Sequence, residues 1–434
     1  MIKQIIKKII LFILRIEARL ILWRYKPKII AITGTVGKTS AKDAIGTVFS
    51  QEFYIRKSDK SYNSEFGVPL TIIGAKSAFN NMFKWFLIFL KGVKLLIVKH
   101  DYPEMLILEV GVDRPGDMSK LTSWLKPDRA VITGFGNTPV HIEFFKNIDE
   151  IIKEKAKLIR DFTSDNYTVL NGDDVKSREL KDKTKANVIT YGFNEDNDLV
   201  ASNYRILYKE DKGSGIPEGI TFKIDYEGKI IPVRLYNIFG RQAVYSVLAA
   251  MAIGATYHLN IIEMTKSLTR YRPPVARLNL ISGLGGSFIL DDSYNASPLA
   301  VDMALETLDE IKTKGRKIAV LGDMMELGKH SADEHRKTGE KAAKVADIIV
   351  TVGIRAKFIS EGARETGFKD RNIHEFNESR EAGKFLLNII NEGDLVLVKG
   401  SQSIRTERVT EEIMAHPENK DFLLARQEKE WLNK

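Results

Sequence analysis

The sequence predicts an α/β chain with a mostly parallel central sheet followed by a C-terminal Rossmann-like α/β unit, and three observations predict it. From residue 28 onward, short apolar runs alternate with longer amphipathic stretches, as strands and helices do when taken in turn. A glycine-rich loop joins the first apolar run to a helical stretch. The same alternation restarts after Pro273-Pro274, where paired prolines stop the preceding helix. The expected division is an N-terminal helix at 1–27, a central domain at 28–272 and a C-terminal domain at 273–434.

Residues 1–26 come first. Lys7, Lys8, Arg15, Glu17 and Arg19 interrupt their apolar run, so the segment is a poor bilayer span, and it has no small-residue cleavage site. On a helical wheel Lys3, Lys7, Lys8, Arg15 and Arg19 gather on one broad face. Ile2, Ile5, Ile9, Phe12, Ile13, Ile16 and Leu20 fill the other. A basic amphipathic helix of this kind lies in a membrane interface. The competing reading is a helix packed on its own domain. Residues 79–99 repeat the flavour, with Lys84, Lys91, Lys94 and Lys99 spaced through an aromatic and leucine-rich run. A buried helical hairpin explains the two segments nearly as well as peripheral membrane contact does.

Strands are expected at Ile29–Thr33, Met105–Val110, Ala130–Thr133, Thr168–Asn171 and Asn187–Tyr191. Helices are expected at Lys38–Ser50, Asp117–Trp124, Ile148–Phe162 and Arg241–Tyr257. Residues 198–236 read as a small antiparallel insert of short segments. The second unit offers strands at Ser287–Leu290, Lys317–Leu321, Ile348–Val352 and Asp394–Val398. Its helices are expected at Pro298–Lys312, Ser331–Val345, Ile354–Thr366 and Ser379–Ile390, and Arg270–Pro274 reads as the hinge between the units.

The chain of 434 residues contains no cysteine, which excludes disulfides, thiolate zinc sites and a cysteine nucleophile. Its net charge of +9 favours anionic partners such as nucleotides, phosphates or an acidic membrane surface. No basic motif interleaved with aromatics is present, so no nucleic acid is expected as a partner.

Gly34-Thr35-Val36-Gly37-Lys38-Thr39-Ser40 sits between an apolar run and a helix, the context of a phosphate-binding loop. Its glycines let backbone N–H groups approach phosphates, Lys38 reaches the outer phosphates, and Thr39 can ligate Mg²⁺. The general pattern has a glycine where Ile32 stands, so this is a variant loop with a shorter front. It makes the first unit a P-loop central ATPase domain. Glu109 ends an apolar strand, which puts its carboxylate at the mouth of a parallel sheet. His141 follows the next strand after a loop. On these grounds alone a structural role stays open for both, and a lone histidine near a loop is more often structural than a ligand.

The loop has the form found in Mur ligases and folylpolyglutamate synthetases. Asn63-Ser64-Glu65-Phe66-Gly67-Val68-Pro69-Leu70, Leu108-Glu109-Val110-Gly111 and Asp291-Asp292-Ser293-Tyr294-Asn295-Ala296 follow in order. Leu321-Gly322-Asp323-Met324-Met325-Glu326-Leu327-Gly328 and Val398-Lys399-Gly400-Ser401 complete the set. From about residue 28 to 412 the chain resembles the Mur ligase family, closest to the members that add D-Ala-D-Ala to a muramyl peptide.

The resemblance implies ATP-dependent amide-bond formation through an acyl phosphate, in a cytoplasmic subunit read as a monomer acting in peptidoglycan synthesis. Gly34 to Ser40, with Arg277 and Asp292, would hold ATP. Thr39, Glu109, His141 and Lys155 would hold two Mg²⁺ ions, with Lys155 matching the lysine that many family members carbamylate. Lys157 is close enough in sequence to be confused with it. Lys38, Glu109, His141 and Lys155 form the implied catalytic set. Asn63, Ser64, Tyr294, Asn295, Ser297, Lys399 and Ser401 would meet the muramyl peptide and the D-Ala-D-Ala-type amine. Simpler roles are a local pair for Arg277 and a helix cap for Asp292.

Two departures matter. Only about 27 residues precede the first strand, where the family has a whole domain for the UDP-sugar. The family's His-Asn-x-x-Asn near adenine is replaced by Gln242-Ala243-Val244-Tyr245-Ser246. The substrate is therefore expected to be either a UDP-muramyl peptide or a membrane-linked muropeptide, with contact at the inner face of the plasma membrane. Competing functions are a ligase of the folylpolyglutamate or cyanophycin type, and a membrane-associated nucleotide-binding scaffold without turnover.

Overall fold

A computed structural model describes residues 2–58, 62–79, 81–139, 141–211, 214–428 and 431. The central sheet holds nine strands in the order β2-β3-β1-β4-β5-β6-β7-β8-β9. These are β1 (Lys28–Thr33), β2 (Ile55–Lys57), β3 (Met105–Glu109), β4 (Arg129–Ile132), β5 (Tyr167–Asn171), β6 (Asn187–Gly192), β7 (Leu199–Asp211), β8 (Ser214–Tyr226) and β9 (Lys229–Tyr236). Pairing is parallel from β2 to β7 and antiparallel from β7 to β9.

Side chains alternate across a strand, so each strand feeds two cores. Ile29, Ala31, Leu106, Leu108, Ala130 and Ile132 face one layer. Ile30, Ile32, Met105, Ile107 and Val131 face the other. The first layer is built by α1 (Ile2–Tyr25), α3 (Gly67–Ile73), α4 (Met82–Ile97), α5 (Asp117–Thr122) and α6 (Ile148–Ala156). The second is built by α2 (Lys38–Phe49), α8 (Arg241–Ala255) and α9 (Ile261–Leu268), while the short α7 (Val175–Arg178) follows β5.

The second sheet has the order β10-β11-β15-β12-β13-β14. Its strands are β10 (Asn279–Ser282), β11 (Phe288–Asp292), β12 (Lys317–Gly322), β13 (Ile348–Val352), β14 (Ile373–Phe376) and β15 (Leu395–Lys399). Only the β10–β11 pair is antiparallel. Helices α10 (Pro298–Glu310), α11 (Ser331–Val345) and α12 (Lys357–Glu365) cover one face, and α13 (Ser379–Leu387) and α14 (Glu407–Ile413) cover the other.

Several expectations shift. Residues 198–236 form no short insert: β7 and β8 run 13 residues each and extend the main sheet through the β6–β7 pair. Register shifts between Ser202 and Arg205 and between Leu207 and Tyr208 break the alternation that would have marked long strands. The helix expected from Ile354 starts at Lys357, where Asp323 accepts a hydrogen bond from the Ala356 N–H (2.7 Å). The helix expected from 148 to 162 ends at Ala156 and tightens into a 3₁₀ turn at Lys157–Ile159. At the expected hinge, Tyr271 is buried and its hydroxyl donates to the Ser40 carbonyl (3.2 Å), which ties this segment to the phosphate loop's helix.

The N-terminal helix packs on its own domain, as the competing reading expected. Ile10, Leu14, Ala18 and Ile21 of α1 are buried together with Trp85, Ile88 and Leu95 of α4. Gly92 lets the two helices approach: a Cβ there would lie 2.3 Å from Glu17 Oε2. The outer faces stay exposed and apolar, with Ile5, Ile9, Phe12, Ile16, Leu20 and Trp23 on α1 and Phe83, Phe86, Leu87, Leu90 and Ile97 on α4. No helix among the described residues is long and apolar enough to cross a membrane. The side chains of Ile2 and Lys3 lie outside the described residues.

Candidate active site

The site forms where β1, β3, β4 and β5 end side by side, at the carboxyl edge of the parallel sheet. Gly34 has φ +142°, and a Cβ on it would lie 2.1 Å from Thr133 Oγ1, so only glycine fits against β4. Gly37, at φ +85°, turns the chain into α2. The Thr35 N–H donates to the Gly134 carbonyl (2.8 Å), and Thr133 Oγ1 donates to the Val36 carbonyl (2.6 Å). The loop is thus held from its neighbour strand while the N-terminus of α2 points into the site. Lys38 Nζ donates to the Gly34 and Thr35 carbonyls (3.0 and 3.2 Å). Burial lowers its pKa from the ordinary lysine value, and Glu109 opposes that shift.

Glu109 is buried at the end of β3. Its carboxylate accepts from Thr39 Oγ1 (2.9 Å) and Asn63 Nδ2 (3.3 Å). These oxygens are hard donors of the kind Mg²⁺ prefers. Lys155 is buried as well, and its Nζ donates to the Gly34 carbonyl (2.6 Å). Burial, and next the charge of Lys38, holds its pKa well below the ordinary lysine value. Lys157 turns away and pairs with Glu154 (2.6 Å), so of the two lysines Lys155 is the one against the phosphate loop.

His141, at φ 69°, stands apart from Glu109's hydrogen bonds. Its Nδ1 lies 2.7 Å from Glu326 Oε2, and its Nε2 lies 3.5 Å from Asp113 Oδ1. The hydrogen bond from His141 keeps the Glu326 carboxyl below its ordinary pKa. Glu326 follows β12, so this pair joins the two sheets' loops across the site. Among the described residues, no group of three or more histidines and carboxylates is arranged to hold a metal.

The second unit closes the site. The Arg277 guanidinium lies 4.3 Å from the Tyr294 ring centroid, and its charge bears on Lys38. Asp292 is paired with the buried Lys399 (2.5 Å), which also donates to the Asn295 carbonyl (2.9 Å). Ser401 Oγ accepts from the Met325 N–H (2.9 Å) and so ties the β12 and β15 loops together. Ser297 caps α10 through the Ala300 N–H (3.4 Å), and Ser64 Oγ accepts from the Gly67 N–H (3.4 Å) at the start of α3. Beyond the loop, a cavity of about 330 Å³ is lined by Gly37, Asn171, Gln242, Tyr245, Leu299 and Met303, drawn from both units. Val36 and Ser40 complete the loop around α2's first turn.

A phosphate loop with a buried Glu and Lys beside it occurs in more than one kind of enzyme; the family comparison decides. The description Mur ligase middle domain matches residues 32–254, and the description Mur ligase, glutamate ligase domain, matches residues 276–402. The chain belongs to the Mur ligase family.

Relatives include the UDP-N-acetylmuramoyl-tripeptide–D-alanyl-D-alanine ligase of Bacillus subtilis. It is 27% identical over 391 residues, which cover 90% of this chain and 76% of the relative. The enzyme of the same name from Treponema pallidum is 27% identical over 388 residues, covering 88% and 73%. The fold is similar to MurF from Acinetobacter baumannii, with a TM-score of 0.74 at 24% identity, covering 91% of this chain and 78% of that one. It is also similar to MurF ligase from Thermotoga maritima in complex with ADP, with a TM-score of 0.73 at 24% identity, covering 93% and 83%.

Within this Mur ligase, sequence reasoning passed over Asp113, Glu326 and Asn171 as site residues. Asp113 and Glu326 flank His141, and Asn171 lines the nucleoside-sized cavity with Tyr245, which stands in the segment expected near adenine. Asp113 stands four residues after Glu109 and Glu326 lies in a quoted motif, but neither position announces a histidine partner. Asn171 sits at the carboxyl end of β5, the same signal that singled out Glu109.

Proposed function

We propose that this Mur ligase forms an amide bond at the expense of ATP, adding D-Ala-D-Ala to the terminal carboxylate of a muramyl tripeptide. The observation that carries the reading is the meeting of Lys38, the Thr39–Glu109 pair and Lys155 at one phosphate loop. ATP lies with its phosphates on residues 34–40, its nucleoside in the cavity that Asn171 and Tyr245 line, and Arg277 toward the phosphates. The substrate carboxylate attacks the γ-phosphorus and the bridging bond to ADP breaks. The amine then attacks the acyl carbon, loses a proton and expels phosphate. Lys38 offsets charge on the transferring group, and positioning supplies most of the rest.

Thr39, Glu109, His141 and a carbamylated Lys155 are the proposed holders of two Mg²⁺ ions, whose contribution is to neutralise phosphate charge. Burial, and next the charge of Lys38, shift Lys155 toward the uncharged amine, the form that takes up CO₂, which supports carbamylation at Lys155 rather than Lys157. Asn63, Tyr294, Asn295 and Ser401 are the proposed walls for the two acceptors, with Asp292 and Lys399 shaping the loop that presents them. We read 1–27, 28–272 and 273–434 as the three parts of the chain.

Peripheral contact with an anionic membrane belongs to the same reading. Apart from the buried Glu17, α1 and α4 contain no carboxylate, while Lys7, Lys8, Arg19, Arg24, Lys84, Lys91 and Lys94 are exposed beside the apolar faces.

Phosphate release tests the reaction, with ATP, Mg²⁺, D-Ala-D-Ala and UDP-muramyl tripeptide each omitted in turn. Release should require every component, and Lys38→Ala should lower it by about 10³-fold. Release indifferent to both acceptors would sink the ligase reading.

A further inference from the structure

We propose that the cavity beside α1 contains a subsite for the diphosphate that joins a muramyl sugar to its carrier, an inference that rests on the ligase reading above. The cavity has a volume of about 630 Å³, within the range of roughly 300–1,000 Å³ that suits a small-molecule site. Asn63, Gly111 and Asp113 line it, next to Glu109 and His141. Lys7, Lys8 and Arg15 of α1 line it too, with Arg114 and Lys120. A ligand whose reacting carboxylate lies beside Asn63 therefore shares one cavity with these cations.

The acidic residues beside these cations are already engaged. Glu65 lies 3.9 Å from Arg15 and 3.7 Å from Lys120, and Asp117 accepts from the Arg114 N–H (2.9 Å) and Lys120 (3.4 Å). Lys7, Lys8 and the Arg114 guanidinium have no carboxylate partner among the described residues. Lys7 lies over the Phe66 ring and Arg114 over the Phe144 ring, both at 5.4 Å. Three such cations suit a group with two adjacent negative charges. The arginine fork fits phosphate oxygens in pairs, and lysine adds a point charge. The same helix turns its apolar side outward, so a polyprenyl carrier would run along the α1–α4 face and a nucleotide carrier would lie in solvent.

The test compares the whole protein with Lys8→Ala, Arg114→Ala and the double variant. Three acceptors are used with ATP and D-Ala-D-Ala: UDP-muramyl tripeptide, the polyprenyl-diphosphate form in neutral detergent micelles, and muramyl tripeptide without diphosphate. Each single variant should raise KM for the diphosphate acceptors by about tenfold, leave kcat within about twofold, and leave kcat/KM for the diphosphate-free acceptor unchanged. Of the two diphosphate acceptors, the one with the lower wild-type KM identifies the carrier. Unchanged KM, or equal losses on all three acceptors, overturns the subsite while leaving the ligase reading intact. If no acceptor turns over, equilibrium dialysis with UDP-muramyl tripeptide still decides. Binding lost in the double variant keeps the subsite and removes the ligase reading; binding equal to wild type overturns the subsite.

Discussion

Helices α8 and α4 are both apolar and of similar length, and they end in opposite surroundings. Of the 15 residues of α8, 11 are buried, whereas only Trp85, Ile88, Gly92 and Leu95 of the 16 in α4 are. The difference lies in side-chain size and in what covers each helix. Ala243, Ala249, Ala250, Ala252 and Gly254 let α8 nest between the sheet and α2, behind the phosphate loop. The bulky outer residues of α4 meet no further layer. Soluble domains rarely expose large contiguous apolar patches unless a partner uses them. Apolar composition therefore marks core in one helix and surface in the other.

Charge insertion separates the two most sharply. Leu248→Asp, at a fully buried site in α8, should prevent folding, read as loss of cooperative thermal unfolding. Leu90→Asp, at a half-exposed site in α4, should leave unfolding nearly unchanged and weaken sedimentation with anionic vesicles. An α4 variant that unfolds the chain, or that binds vesicles like wild type, would break the contrast. Truncation gives a smaller effect of the same sense. Leu248→Ala should cost about 2–5 kcal/mol of stability, against about 0.5 kcal/mol or less for Leu90→Ala, measured by denaturant titration.

The α1–α4 seam allows finer tests. Gly92→Ala places a methyl against the Glu17 carboxylate and should cost about 1–3 kcal/mol, with vesicle binding reduced as the pair loosens. Burial pushes the Glu17 carboxyl up to about 7 from the ordinary 4.5. Its folded value lies above its unfolded one, so its contribution is fully present below about pH 4.5 and is lost as pH rises through about 7. Glu17→Gln should remove that part of the slope. An unchanged stability profile between pH 4.5 and 7 would count against a buried, neutral Glu17.

Much of the fold was legible because it rests on local periodicity. The strand–loop–helix at residues 28–49 could be placed from glycine spacing and one apolar run, and the alternation on both sides of Pro273-Pro274 marked two sheets. The edge strands β2, β10 and β14 were not legible, since segments of three or four residues carry too little pattern. The site divides similarly. Gly34 to Ser40 and Glu109 stood out by position. The His141–Glu326 contact joins residues from two units, and no local rule encodes it.

By itself, then, the sequence determined the alternation of the central strands and helices, the phosphate loop and the family motifs, all of which follow from near-neighbour backbone geometry. Tertiary structure alone decided that Lys155 donates to Gly34 while Lys157 pairs with Glu154, that Lys399 is engaged by Asp292, and that α8 is covered while α4 is not. Those outcomes depend on which surfaces meet after the sheets form, and burial and ion pairing between distant segments have no signature at the spacing of a single helix or strand.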